Sequence, residues 1–339
     1  MTSIRRTTTT GPRPGRRTIV AAGSALPIGA LLAACADSGD APEVPGGEEG
    51  ENGDDAEATG AASSDYDAVI AEGPLADDAT VEASPWASAI READVLRRGG
   101  TTTNQVFSLE DPATGTITGF DAGITQLLAR YILGEDGADK VDYLDTTVDT
   151  RETMVANGTV DCVVATYSIT PERLEQINFA GPYYLSGTAI QVMADNDDVE
   201  GPEDLEGLQM TTQSNSTGLQ AILDHVPGAT ESQIQQFGDN EQCLAALTQG
   251  RVDAYVLDQG VLLGNVVADD SVKVVGEPFV DDPYGIGLSQ DHEDALEFVN
   301  TFLETIQSDD TWDRLYEATI GQVIDGDAPE PPQIGDLPS

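Results

Sequence analysis

Short β-branched runs alternate with amphipathic segments along residues 83–326, and this alternation constrains the fold more than any other feature of the chain. Residues 160–166 and 252–257 have the length and composition of buried strands. Residues 121–133 and 295–306 instead carry apolar side chains at helical spacing. The alternation predicts an α/β architecture. A stretch of about 245 residues is large for a single core, so two lobes are expected.

The first 34 residues combine five arginines with an apolar run over residues 19–34, which indicates an export signal. The run is interrupted by glycine and proline and is shorter than the roughly 20 apolar residues of a membrane-spanning helix. A permanent transmembrane anchor is therefore not expected. The pair Arg16 and Arg17 also permits twin-arginine export, so the export route stays open.

The residues Leu32-Ala33-Ala34-Cys35 resemble a bacterial lipobox, in which the signal is removed and the cysteine is then lipidated. The alternative is that Cys35 is an ordinary apolar residue of the signal. Residues 36–82 are mainly acidic or small, a composition that buries too little surface to fold. We therefore predict a lipidated Cys35 and a disordered acidic tether over residues 35–82, which hold the protein at the extracellular face of the cell membrane.

The chain is strongly acidic, with 15 Lys and Arg against 61 Asp and Glu and a formal net charge of −46 at pH 7. Nucleic acid is excluded as a partner, because binding phosphates requires clustered cations. Such self-repulsion is best tolerated where salt screens it, which suggests a salt-rich environment, and simple solubility is the alternative.

Two cysteines, Cys162 and Cys243, lie beyond the signal. Cys162 belongs to an apolar run and Cys243 to an amphipathic segment, so both are predicted to be small buried hydrophobic residues. A disulfide is the alternative in an oxidising compartment.

Residues 157–184 contain the most informative local pattern: a turn, a short strand, a hydroxyl-rich loop and a helix that starts at Pro171. Ligands of open α/β sheets bind beyond the carboxyl ends of strands, where Ser168, Thr170 and Arg173 fall. Two hydroxyls, a helix N-terminus and a guanidinium suit a small carboxylate. The alternative is that the hydroxyls only cap the helix while Arg173 pairs with a surface acid.

Several motifs occur in order along the chain: Gly119-Phe120-Asp121, Asn157-Gly158-Thr159-Val160-Asp161, residues 165–173, Asn178-Phe179-Ala180-Gly181-Pro182-Tyr183 and Tyr284-Gly285-Ile286-Gly287. Together they resemble the polar-amino-acid family of binding proteins of bacterial ABC importers, and glutamate-binding members in particular. The resemblance spans about residues 96–321.

The resemblance implies a type II, two-lobed clamp in which each lobe is a sheet flanked by helices. Two hinge crossings are expected near residues 188–192 and 284–288. The implied first lobe comprises residues 83–188 and 289–326, and the second comprises residues 189–288. Residues 327–339 are predicted to be a solvated tail, because Pro331 and Pro332 cannot continue a helix.

The resemblance also implies the roles of individual residues. Arg173 matches the residue that holds the ligand α-carboxylate, with help from Ser168 and Thr170. Asp258 matches the acid that binds the α-ammonium group, and the alternative for Asp258 is a helix cap.

Four further positions are implied to be near the ligand. Phe107 matches an aromatic that stacks on the ligand, with a plain core residue as the alternative. Arg151 is a second cation that could bind an acidic side chain of the ligand. The alternative is that Arg151 forms a helical salt bridge with a neighbouring acid. Ser216 and Thr217 either meet the ligand carboxylate on closure or form a simple N-cap.

The expected function is to capture a polar amino acid, with glutamate, aspartate or glutamine favoured, and to deliver it to the membrane subunits of an ABC permease. The expected protein is a monomer without cofactor or metal. An enzyme of the same fold and an amino-acid sensor are the alternatives. The two histidines, His225 and His292, lie in polar stretches that look exposed, so neither is a convincing acid or base.

Overall fold

The computed structural model describes residues 55–324 and 328–338, with side chains from residue 64 onward. The predicted signal, Cys35 and the first part of the predicted tether lie outside the described residues.

The described chain begins with helices that precede the sheet and then enters the first lobe. The helices up to residue 177 are α1 (Asp55–Glu72), α2 (Asp78–Ala83), α3 (Pro85–Ala93), α4 (Phe120–Leu133), α5 (Arg151–Ala156) and α6 (Pro171–Leu174). The strands of this part are β1 (Leu96–Gly99), β2 (Thr103–Asn104), β3 (Ser108–Glu110), β4 (Ile117–Thr118), β5 (Val141–Leu144) and β6 (Cys162–Val163).

The long strand β7 (Asn178–Met193) leads into the second lobe, and the long strand β11 (Val272–Leu288) leads back out of it. Between them lie β8 (Met210–Gln213), α7 (Gly218–His225), β9 (Ile234–Phe237), α8 (Asn240–Thr248), β10 (Ala254–Asp258) and α9 (Gln259–Ala268). The chain ends on the first lobe with α10 (Glu293–Ser308) and α11 (Thr311–Ala318).

One mixed sheet, in the order β5–β1–β6–β11–β7–β10–β8–β9, runs through the molecule, and β2–β3–β4 form a small separate sheet. The buried side chains fall into distinct hydrophobic clusters. Those of residues 66–184 and 284–320 form the core of what we call the first lobe. Those of residues 189–272 form the core of the second lobe. The predicted two-lobed α/β fold is confirmed, and both predicted crossing segments lie on the strands that connect the lobes.

Most predicted elements occur within a few residues of their expected bounds. The helix predicted at residues 121–133 is α4, the helix at 295–306 is α10, and the strand at 252–257 is β10. The strand predicted at residues 160–166 is shorter, because only Cys162–Val163 form β6. Thr166 has a positive φ of 42°, which turns the chain away from the sheet. Cys162 and Cys243 are buried, as predicted, and the structure has them as free thiols, so the disulfide alternative is wrong.

The predicted limit of the tether at residue 82 is wrong, because α1 and α2 are folded against the first lobe. Tyr66, Val69 and Ile70 are spaced i, i+3, i+4 and are 3–8% exposed. The Tyr66 hydroxyl donates a 2.8 Å hydrogen bond to Gln126 Oε1 of α4. A few apolar residues at helical spacing are enough here, because α4 and α11 supply a surface for them.

The prediction of a solvated C-terminal tail is also wrong for its described part. Pro332 is buried, and its carbonyl accepts a 3.1 Å hydrogen bond from Gln307 Nε2 of α10. Ile334 packs against the core of the first lobe, and Gly335 N donates to Gly181 O at 2.9 Å. Pro331 and Pro332 end helical structure as expected, but the extended segment still lies against the first lobe.

Candidate ligand-binding site

A cavity of about 100 Å³ lies between the lobes, beyond the carboxyl ends of β1, β6, β8 and β10. This is where open α/β sheets bind ligands. Seven of the eight predicted ligand-binding residues line the cavity: Phe107, Arg151, Ser168, Arg173, Ser216, Thr217 and Asp258. The fold thus brings together residues from five separate parts of the sequence.

Arg173 is the third residue of α6 and is only 8% exposed. Its Nη1 donates to Ser168 O at 2.6 Å and its Nη2 to Asn215 O of the second lobe at 3.1 Å. The alternative partner, a surface acid, is present as Glu152, but its Oε1 is 3.8 Å from Arg173 Nε. Such a long contact with a partly exposed carboxylate contributes little. Arg173 is therefore held mainly by carbonyls, with its charge directed at the cavity edge.

Asp258 ends β10 and is 6% exposed. Its Oδ1 accepts a 3.3 Å hydrogen bond from Ser168 Oγ of the first lobe. Although Asp258 precedes α9, its side chain makes no capping hydrogen bond to that helix, so the helix-cap alternative is wrong. Burial raises the pKa of the Asp258 carboxyl well above its ordinary value, and the neighbouring Asp282 carboxyl raises it further. The charges of Arg173 and Arg151 act in the opposite direction.

Arg151 opens α5 and stacks on Tyr167, with 3.6 Å between the guanidinium carbon and the ring centroid. Its Nη1 donates to Ala165 O at 3.3 Å, and its Nε has no hydrogen-bond partner within the described residues. No carboxylate in the described part of the chain lies within salt-bridge distance of Arg151, so the helical salt bridge is wrong. Burial, followed by the charge of Arg173, lowers the pKa of Arg151 to about 10.

Phe107 lines the cavity and also belongs to the core of the first lobe. It is therefore placed near the ligand site and is a core residue at the same time. Its ring meets those of Phe120, Tyr184 and Tyr284 edge-on, at centroid distances of 5.6–6.1 Å. Gly119 fixes the position of Phe107: it has a φ of 123°, and a Cβ there would lie 2.5 Å from the Phe107 carbonyl carbon.

Ser216 and Thr217 precede α7 and play different parts. Ser216 Oγ donates to Gln213 O at 2.7 Å and accepts from Gly218 N at 3.3 Å, so Ser216 organises the helix start. Thr217 makes no capping bond, and its buried Oγ1 has no partner within the described residues. Thr217 is therefore the residue of this pair whose hydroxyl is available to a ligand.

Thr170 is the predicted site residue that does not line the cavity. Its hydroxyl accepts a 3.3 Å hydrogen bond from Arg173 N and so caps α6. Thr170 faces a separate groove beside the hinge instead. By capping α6, Thr170 helps to position Arg173. The alternative that its hydroxyl caps the helix is therefore confirmed.

The cavity has several polar lining residues that the sequence did not single out, and Arg98, Ser108 and Thr146 are among them. Arg98 is fully buried, and its Nη1 and Nη2 donate to the carbonyls of Thr101 and Val164. Its Nε, Ser108 Oγ and Thr146 Oγ1 have no partner within the described residues. The available signal for Arg98 was an arginine in a strand, β1, whose neighbours Leu96 and Gly99 are buried.

Asp121 also lines the cavity and lies near the charge of Arg98. Its two carboxyl oxygens accept hydrogen bonds of 2.7 Å from Thr166 N and from the Tyr183 hydroxyl. Burial outweighs these favourable contacts and raises the pKa of Asp121 to about 6.

The lobes touch directly around the cavity. Besides the contacts of Arg173 and Ser168, Asn104 Nδ2 of the first lobe donates to Gly260 O of the second at 3.4 Å. Asn215 Nδ2 of the second lobe donates to Asp149 Oδ1 of the first. The structure therefore shows the clamp in a closed arrangement.

Within residues 55–324 and 328–338, no group of His, Cys, Asp and Glu side chains has the arrangement of a metal site. Across the same residues, no helix has the length and apolar character needed to cross a membrane. Both histidines are exposed, as predicted, and neither lines the cavity.

Known proteins resemble this chain over its two lobes. The glutamate-binding protein GluB of Corynebacterium glutamicum is 35% identical over 216 residues, which cover 61% of this chain and 72% of that protein. The ABC transporter glutamine-binding protein GlnH of Bacillus subtilis is 30% identical over 234 residues, which cover 69% and 84% respectively.

Among solved structures, the ancestral amino acid-binding protein AncCDT-1, described as a precursor of cyclohexadienyl dehydratase, has a similar fold. It is 31% identical, its TM-score is 0.60, and the match covers 68% of this chain and 97% of that one. Residues 96–322 match the family described as bacterial extracellular solute-binding proteins, family 3. The chain therefore belongs to the family 3 bacterial extracellular solute-binding proteins.

Proposed function

We propose that the protein binds a single polar α-amino acid between its lobes and delivers it to the membrane permease of an ABC importer. The observation that carries this proposal is the placement of Arg173 and Asp258 around Ser168, one on each lobe. An α-amino acid carries a carboxylate and an ammonium group on one carbon. A guanidinium and a carboxylate that face one small cavity complement both groups.

Unpaired polar atoms in the cavity support a polar ligand. Five buried atoms of residues that line the cavity have no partner within the described residues: Arg98 Nε, Ser108 Oγ, Thr146 Oγ1, Arg151 Nε and Thr217 Oγ1. A buried polar atom without a partner costs about 1–3 kcal/mol, and a ligand that bonds these atoms recovers this free energy.

The side chain of the ligand is proposed to be acidic, so glutamate or aspartate is favoured over glutamine. Two of the free donors belong to arginines, Arg98 and Arg151, and hydrogen bonds to charged groups are the stronger ones. The glutamate-binding relative agrees with this choice, and the glutamine-binding relative supplies the competing ligand.

The proposed mechanism is closure of the clamp about β7 and β11. The lobes, with the limits given by the resemblance, rock apart to admit the amino acid. They then close on it, so that Arg173 holds its carboxylate and Asp258 its ammonium group. Closure removes water from the charged contacts and strengthens them. The closed form then docks on the permease.

The proposed location of the protein is the outer face of the cell membrane. An export signal over residues 1–34 and a lipid on Cys35 would anchor a monomeric binding protein there, and the family is extracellular. Binding without catalysis is proposed, because the two histidines lie away from the cavity.

Isothermal titration of the purified chain with L-glutamate, L-aspartate and L-glutamine, at high salt, tests the ligand class. We expect saturable one-to-one binding with glutamate or aspartate preferred. The variant Arg151→Gln should weaken glutamate binding at least about tenfold, because a charged hydrogen bond contributes roughly 1.5–3 kcal/mol. Glutamine binding should weaken less.

The matched control is Arg97→Gln, since Arg97 pairs with Asp161 on the same lobe and does not line the cavity. It should leave both affinities unchanged. Equal losses of glutamate and glutamine affinity in Arg151→Gln would contradict a side-chain contact. Binding of sugars or peptides, without binding of any amino acid, would contradict the proposed function.

A further inference from the structure

Asn215 lies in the loop between β8 and α7 of the second lobe, and it bonds to the first lobe at two points. Its carbonyl accepts a 3.1 Å hydrogen bond from Arg173 Nη2, and its Nδ2 donates to Asp149 Oδ1. Arg173 belongs to α6, whereas Asp149 lies shortly before α5. One residue of the second lobe therefore contacts two separate segments of the first.

The loop around Asn215 is anchored on the second lobe. Asn215 has a φ of 58°, in the left-handed region that asparagine adopts more readily than most residues. Before it, Ser214 N donates a 2.8 Å hydrogen bond to Phe237 O of β9. After it, Ser216 Oγ donates to Gln213 O at 2.7 Å. The carbonyl and the amide of Asn215 are thus presented to the first lobe by a turn with its own support.

Asp149 lies in the turn that begins α5, and this turn is equally well supported. Thr147 N donates to Thr150 Oγ1 at 3.0 Å, and Arg151 N donates to Thr147 O at 3.1 Å. Arg151 follows Asp149 by two residues and is the proposed contact of the ligand side chain. Asn215 therefore bonds directly to one proposed ligand-binding arginine and to the turn that carries the other.

The bond between Asn215 and Asp149 lies outside the ligand site. Both residues are exposed, and both line the groove beside the hinge and not the ligand cavity. Because the bond joins the lobes, it is present in the closed clamp and is lost in the proposed opening. A contact that is made in only one of two states stabilises that state. The bond should therefore raise the affinity for any ligand that the closed clamp holds.

We propose that Asn215 is a positioning residue that latches the closed clamp: its side-chain amide holds Asp149 and thereby keeps its carbonyl on Arg173, without touching the ligand. This inference rests on the proposed amino-acid ligand. A latch acts on closure, which is common to all ligands of the site. Its loss should therefore weaken the binding of glutamate and of glutamine by the same factor, in contrast to the loss of Arg151.

Asn215→Gly removes the amide and keeps the backbone, since glycine adopts the left-handed conformation without strain. Titration calorimetry of the full chain with L-glutamate and with L-glutamine, at one fixed salt concentration, measures the effect. The dissociation constants of both ligands should rise by about two- to fivefold, because an exposed charged contact contributes little. Asp149→Ala removes the same bond from the other side and should match it. The double variant should be no weaker than either single variant.

Exchange of donor and acceptor separates a latch from a merely structural role. Asn215→Asp places a second carboxylate against Asp149, so it should weaken both ligands more than Asn215→Gly does. Asp149→Asn, added to Asn215→Asp, restores an amide–carboxylate hydrogen bond in the reverse direction. This exchange variant should return to within about twofold of the wild-type affinity.

The matched control is Asp145→Asn, which changes an exposed acid of the same connection between β5 and α5. Asp145 lines neither the cavity nor the groove, and its variant should bind as the wild type does.

Wild-type affinity in Asn215→Gly would overturn the inference, as would an exchange variant that binds no more tightly than Asn215→Asp. A loss confined to glutamate would overturn it too, because it would indicate a contact with the ligand side chain. Each of these results leaves the proposed function standing. Failure of the wild type to bind any amino acid would overturn the proposed function itself.

Discussion

The hydroxyl of Ser168 donates a 3.3 Å hydrogen bond to Asp258 Oδ1 across the cleft between the lobes. The carbonyl of the same serine accepts from Arg173 Nη1 at 2.6 Å. One residue thus places the proposed carboxylate-binding and ammonium-binding groups close together. This proximity matches an α-amino acid, whose two charged groups share one carbon.

The first prediction is that Arg173→Ala abolishes amino-acid binding and leaves the fold intact. Loss of the guanidinium removes the proposed charged hydrogen bonds to the ligand carboxylate, and removing one partner of a buried charge pair costs roughly 2–5 kcal/mol. The affinity should fall at least about 100-fold by titration calorimetry. The circular dichroism spectrum should not change.

The matched control is Arg314→Ala, which removes a partly exposed arginine that pairs with Glu72 and does not line the cavity. It should bind as the wild type does. Unchanged affinity in Arg173→Ala would refute the assignment of the carboxylate site.

The sequence was sufficient to predict those site residues that belong to recognisable local patterns. Arg173 follows a strand and a hydroxyl-rich loop, and Asp258 ends a strand, so both could be assigned. Arg98 was missed, because its importance depends on neighbours distant in sequence. It lines the cavity and donates a hydrogen bond to the carbonyl of Val164.

The second prediction concerns the buried carboxyl of Asp121. Its pKa of about 6 in the folded state lies above the ordinary value of 3.8, so the folded state binds the proton more tightly than the unfolded state does. The resulting stabilisation is complete below the unfolded pKa and is lost as the pH rises through about 6.

Asp121→Asn removes this contribution. As the pH falls from 7 to 4, the free energy of unfolding of the wild type should rise relative to that of the variant by about 2.4 kcal/mol. Urea unfolding at a series of pH values, at constant high salt, measures the difference. Parallel pH profiles of the two proteins would show that Asp121 has an ordinary pKa.

The third prediction tests the folded part of the predicted tether. Tyr66→Ala should lower the free energy of unfolding by about 3 kcal/mol, because a large aromatic that is 5% exposed is replaced by a small residue. Asp67→Ala, at the exposed neighbouring position, should change it by less than about 0.5 kcal/mol. If both variants are as stable as the wild type, α1 contributes nothing to the first lobe.

Local periodicity predicted α4, α10 and β10, whose patterns are strong over many residues. It failed for α1, where acidic and small residues dominate and only Tyr66, Val69 and Ile70 carry the buried face. Whether three apolar residues fold a helix depends on the surface offered by α4 and α11. That surface is a tertiary property and is absent from the composition of the segment.

The fourth prediction is that Gly260→Ala weakens ligand binding by preventing full closure of the clamp. Gly260 is the second residue of α9 in the second lobe, and a Cβ there would lie 2.8 Å from the Phe107 ring of the first lobe. Phe107 cannot move aside easily, because Phe120, Tyr184 and Tyr284 surround its ring. Alanine favours a helix more than glycine does, so α9 itself should not suffer.

We expect at least a tenfold loss of affinity in Gly260→Ala, together with a larger radius of gyration in solution scattering with ligand present. Val267→Ala changes an exposed position of the same helix and should leave both measurements as in the wild type. Wild-type affinity in Gly260→Ala would mean that the Phe107 ring yields, and that its close contact with the second lobe does not limit closure.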